Sequence, residues 1–79
     1  MELSELLRLA LENAAGHLAN LAYVQELVGN LLHKCDSFET FRAALVEAAW
    51  HADTTVQTDA RILLNECEYI LRRARHGPI

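Results

Sequence analysis

The sequence predicts an all-α fold, and three observations carry that reading. Apolar residues recur at spacings of three and four through most of the chain. Leu, Ala and Glu, all good helix formers, dominate its segments. One proline and three glycines leave few places where a helix must stop. The expected architecture is a three-helix antiparallel arrangement with a long first helix, completed by dimerisation, in a single helical domain over residues 1–79.

The first helix is expected over about residues 4–35. Its seam is Leu7, Leu11, Ala14, Leu18, Leu21, Val28, Leu32 and Cys35, broken only by Gln25. Glu2 and Glu5 lie well placed against the positive end of such a helix. Gly16 and Gly29 each cost about 1 kcal/mol relative to alanine. Helix formers flank Gly16, so the helix is read as continuous through it, and Gly29-Asn30 is the better candidate for an early stop. Asn13, His17 and Asn20 form a polar strip beside the seam, and they need partners if that strip is buried.

Asp36-Ser37-Phe38-Glu39 reads as a capping box with Asp36 as N-cap. The second helix follows over about 37–52, with Phe38, Phe41, Leu45, Ala48, Ala49 and Ala52 on its core face. Thr54 and Gln57 suggest another box, opening a third helix over about 54–75. Its seam is Val56, Ala60, Leu63, Cys67, Ile70 and Ala74, and Gly77-Pro78 closes it. Both connections are short, so consecutive helices are expected to lie antiparallel.

Length then becomes an argument about assembly. A first helix of that extent spans roughly 48 Å and the second only about 24 Å. The second and third helices would therefore leave Leu3, Leu7, Leu11, Ala14 and Leu18 uncovered, and a homodimer interface through these residues is the expected remedy.

Seven Lys+Arg against eleven Asp+Glu give a net charge of -4, the opposite of the basic excess a nucleic-acid binder needs. The first residues are acidic where a secretory signal would be basic, and no apolar run is long enough to span a bilayer. These features point to the cytoplasm, where two cysteines are expected reduced. Cys35 and Cys67 both fall on seams, as small buried hydrophobes do. His33, His51 and His76 fall in last turns of expected helices, where a partly positive ring is favoured, and ligand spacings such as Cys-x-x-Cys are absent. No metal, no cofactor and no catalytic residue is expected, and the chain does not read as an enzyme.

Two surface features remain. Trp50 lies roughly 140° from Leu45 around the second helix, with Val46 on the same outer side. A large aromatic off the core face fits a protein interface. Arg72, Arg73 and Arg75, with His76, form the only basic cluster, suited either to helix capping or to docking an acidic surface. The expected function is that of a small dimeric helical protein-binding module: an adaptor, regulator or stoichiometric inhibitor that occupies a partner's surface. The competing class is a small-ligand or thiol-redox helical module. In size and acidic helical composition the chain is similar to the short proteins that phages use against host machinery, such as anti-CRISPR proteins and antiactivators of transcription factors. That likeness covers no motif and transfers no site residue.

Overall fold

The computed structural model describes residues 1–76, the side chain of His76 excepted. Four α-helices follow one another: α1 (Leu3–Ala14), α2 (Leu21–Leu32), α3 (Phe38–Trp50) and α4 (Thr54–His76), with a single 3-10 turn at Ala15–His17 between α1 and α2. There is no strand among the described residues. The longest helix is therefore the last one, and α4 packs against each of the other three. Its most extensive partner is α1.

The expected continuous first helix is corrected here: it is two helices with a bend between them. Leu18 adopts an extended conformation (φ -93°, ψ 129°) and Asn20 leaves the helical region at φ -123°, ψ 52°. The physical reason lies some forty residues away. Asp59 on α4, 1% exposed, accepts hydrogen bonds from the Ala19 backbone N–H at 2.9 Å and the Asn20 backbone N–H at 2.7 Å. The Asn20 side-chain amide donates to Asp59 at 3.3 Å and to the Thr55 hydroxyl at 3.0 Å. A continuous helix would direct those two backbone N–H groups at its own carbonyls. A buried carboxylate left without donors costs several kcal/mol, so bend and carboxylate hold each other in place.

Once bent, α1 folds back on α4 and fills the core. Leu6, Leu7, Ala10 and Ala14 are 0–2% exposed, and the first three cluster with Val24, Val28, Phe41, Leu45, Leu63 and Cys67. Burying a leucine side chain contributes about 1.5–3 kcal/mol. Leu7 and Ala14 are buried within the chain, and Leu3, Leu11 and Leu18 are half-buried against the same core. The uncovered arc that argued for dimerisation through these five residues does not exist in the bent chain. The bend also shifts the phase of α2, which buries Val24, Val28 and Leu31 and turns Gln25 outward. On the strip beside the seam only Asn20 is partly buried. Asn13 reaches the Glu66 carboxylate at 3.2 Å from an exposed position, and His17 is exposed.

The two C-terminal helices match their expected cores closely. Phe41, Leu45 and Ala49 are buried on α3, with Phe38, Ala48 and Ala52 half-buried beside them. On α4 the buried line runs Val56, Ala60, Leu63 and Cys67, with Ile70 half-buried and Ala74 exposed where the helix outruns the core. The closing Gly77-Pro78 lies outside the described residues.

The caps differ by one residue from expectation. Ser37, in extended conformation, accepts from the Thr40 N–H at 3.2 Å, and the Thr40 hydroxyl accepts from the Ser37 N–H at 3.2 Å. The box is thus Ser37–Thr40, and Asp36 stands outside it. At α4 the cap is Asp53: its Oδ1 accepts from the Thr55 hydroxyl at 2.6 Å and from the Thr55 and Val56 N–H groups at 3.0 and 3.3 Å. The Thr55 hydroxyl foremost, then the Val56 amide, holds the Asp53 carboxyl below its ordinary value. Such a lowered group stabilises the fold above its unfolded pKa, and that contribution is lost as pH falls through the folded one. Gln57, expected in a capping box, instead donates to the Ala52 carbonyl at 3.2 Å and secures the α3–α4 turn.

Ser37→Ala should lower unfolding stability by about 1 kcal/mol in urea titrations. Asp36→Ala should stay within about 0.5 kcal/mol of the parent chain; the reverse ranking would restore Asp36 as the cap.

Candidate functional site

Between α3 and α4 the core faces meet and the outer flanks diverge. Val46, Ala49 and Trp50 of α3 face Ala60 and Leu64 of α4 across a groove of about 310 Å³. Gln57, Arg61 and Asn65 line the α4 side. The sequence places these residues there by simple periodicity. On α3, Arg42, Val46 and Trp50 step by four, one position round from the buried line Phe41, Leu45 and Ala49. On α4, Gln57, Arg61, Leu64 and Glu68 step by four and three beside the buried line Ala60, Leu63 and Cys67.

Trp50 is 72% exposed and Val46 50% exposed, the two most exposed apolar side chains lining the groove. Both lie where the helical wheel placed them, away from the core. Arg42 and Glu68 pair at 2.9 Å across the groove. Both side chains are well solvated (56% and 36% exposed), so the pair contributes no more than about 1 kcal/mol and serves to bound the apolar floor.

The basic cluster sits at the far end of α4, where Arg72, Arg73 and Arg75 are all exposed. Arg72 follows Glu68 by four residues, so the groove-side strip of α4 continues into positive charge. Arg73 is engaged locally, donating to the Tyr69 hydroxyl at 3.1 Å with its guanidinium 5.6 Å from the ring centre. Arg61, Arg72, Arg73 and Arg75 form no ion pair among the described residues. Val46 and Trp50 thus line the groove, Arg72 lies one helical turn beyond its Glu68 end, and Arg73 turns toward Tyr69. Sequence reasoning singled out the α3 half of the groove and missed the α4 half. The signal was present: Gln57, Arg61, Leu64 and Glu68 repeat at helical spacing beside the seam.

The other chemistry-bearing residues are dispersed. Both cysteines are free, Cys67 buried and Cys35 half-buried. Burial, reinforced by the neighbouring Glu66 and Glu68 carboxylates, pushes the Cys67 thiol up to about 12. His33 and His51 follow the last residues of α2 and α3, and the His51 ring stands 3.4 Å from Glu47. No three metal-binding side chains gather in one place among the described residues. None of the described helices is long and apolar enough to cross a membrane.

The contrast between the two thiols can be measured. At pH 8 a maleimide should modify Cys35 in the folded chain, while Cys67 should react only after denaturant is added, as read by intact mass. Comparable rates at both positions would contradict the packing of Cys67.

No protein-family model, curated protein or solved structure is found to match the chain, so the site is read from its own residues.

Proposed function

We propose that the chain is a protein-binding module whose α3–α4 groove seats an amphipathic segment of another protein carrying acidic residues beside its apolar anchors. It acts by occupying that surface, as an adaptor, a regulator or a stoichiometric inhibitor. The single observation that carries this reading is Trp50, 72% exposed at the rim of an apolar-floored groove. Leaving a tryptophan in water forgoes the stabilisation of a large apolar burial, and tryptophan is the residue most concentrated at interface hot spots.

Charge supports the choice of partner. Arg61 flanks the floor, and Arg72 and Arg75 continue α4 beyond the Glu68 end of the groove. Carboxylates on the incoming segment would therefore meet cations that have no acidic partner among the described residues. The groove volume of about 310 Å³ is enough for two or three anchoring side chains. The competing thiol-redox reading is weakened by the Cys67 thiol, whose value near 12 leaves negligible thiolate at neutral pH.

Trp50 is the only tryptophan, so intrinsic fluorescence reports this groove alone. Titration with amphipathic helical peptides bearing acidic flanks should give a saturable blue shift, weakened by salt and by Arg72→Glu. Peptides of the same apolar pattern with basic flanks should bind far less. Measured by titration calorimetry, since the variant has no tryptophan, Trp50→Ala should cost about 2 kcal/mol of binding, roughly thirtyfold in Kd, with helical content and unfolding midpoint unchanged. Binding that ignores both peptide charge and Trp50, or unfolding on Trp50→Ala, would remove the groove from the function.

A further inference from the structure

We propose that α1 is an exchangeable arm: the Ala15–Asn20 junction straightens, and α1 then docks on α4 of a second copy of this chain. The proposal is independent of what the α3–α4 groove binds.

The junction is bent by distant contacts and not by its own residues. No proline lies between Leu3 and Leu32, and the apolar 4-3 spacing runs through the junction with Ala14, Leu18 and Leu21. Ala14 and Ala15 already hold right-handed helical conformations, and the 3-10 turn follows at once. Gly16 is not in the left-handed region, and a side chain added there would meet nothing within 4 Å. No side chain caps the start of α2. What holds the bend is Asp59, with Thr55 beside it, through four hydrogen bonds to Ala19 and Asn20.

The occupant follows from the same contacts. A straightened helix over residues 3–32 is about 45 Å long and carries Leu6, Leu7, Ala10 and Ala14 away from their own α4. Those four residues, 0–2% exposed in the bent chain, cannot be left in water, and neither can the α4 face they vacate. A second straightened copy offers the complementary face, with the apolar α1–α4 contacts re-formed between chains. The exchange gains helical hydrogen bonds at the junction and gives up those of Asp59. The unpaired carboxylate therefore opposes it, and Asp59 is the latch that neutralising this residue releases. It leaves α3 and α4 of each chain together, so an exchanged dimer presents two Trp50 grooves.

The test uses the side-chain contact between Asn13 of α1 and Glu66 of α4. Asn13→Cys and Glu66→Cys are introduced together in a Cys35→Ser background, with or without Asp59→Asn. The two thiols are joined by a short bis-maleimide, long enough for the gap that these two side chains bridge. In the bent monomer the cross-link forms within one chain; in the exchanged dimer it joins two. Asp59→Asn should convert the intramolecular bond to an intermolecular one at high micromolar concentration, with helical content by circular dichroism kept or raised. An intramolecular bond alone would overturn the proposal, even if light scattering reported a dimer. Should Asp59→Asn fail to fold, Gly16→Ala carries the same readout with Asp59 intact. It raises helix propensity in the junction of both copies, so the intermolecular fraction should rise at least about fivefold. No rise would overturn the proposal equally.

Discussion

The Asp59 carboxylate is the constraint on which the remaining structure depends. Among the described residues it is the only buried charged side chain, and it is fully engaged by donors from the α1–α2 junction. The dependence runs both ways. Without the bend the carboxylate would lack donors, and without the carboxylate the junction residues would find helical partners along their own chain. The network extends through Asn20 and Thr55 to Asp53, so the start of α4 and the turn between α1 and α2 form one polar assembly. An interior polar group of this kind contributes less to net stability than to choosing one arrangement over another. Here it chooses a folded-back α1 that lets so short a chain complete its own core.

That choice determines which surface is left over. With α1 and α2 covering α4 from one side and α3 lying along its flank, the helix has one strip without a neighbour. Gln57, Arg61 and Asn65 occupy that strip, and Val46 and Trp50 face it from α3. The exposed tryptophan is thus a consequence of where the helices run. It sits at the solvent-facing rim of α3, above a floor of Ala49, Ala60 and Leu64. The groove is shallow and apolar with cations at its margin, a form suited to a protein segment more than to a compact ligand.

How far the sequence discloses this structure depends on the range of the interaction concerned. The faces of α3 and α4 are legible because a 3.6-residue period and a short turn determine them locally, and Phe41, Leu45, Leu63 and Cys67 fall where the spacing puts them. The outward side of α3, with Val46 and Trp50, is legible for the same reason. The caps shift by one residue because Asp36 and Ser37, like Asp53 and Thr54, are neighbouring residues of equal capping ability, and backbone geometry decides between them. The bend is not legible, since propensity and periodicity both favour a straight helix through Gly16. Its cause sits on α4. Two traces of it were available: Gln25 interrupts a seam that becomes apolar within α2 once the phase shifts by one residue, and Asp59 stands on the same helical face of α4 as Val56, Ala60 and Leu63. An acidic residue on a buried face implies a donor elsewhere, and Asn20 was one of three polar residues beside the first seam, with Asn13 and His17, that needed a partner if buried.

The central claim is that Asp59 holds the junction closed, and amide hydrogen exchange measures it most directly. The Ala19 and Asn20 amides lie outside any helix, in a segment that would exchange within seconds if it were an ordinary surface turn. Bound to a buried carboxylate, they should exchange as slowly as the most protected amides of α4, which open only when the whole domain unfolds. Protection of that order at these two positions is the predicted result. Exchange at the rate of exposed loop amides, with α4 still protected, would contradict it.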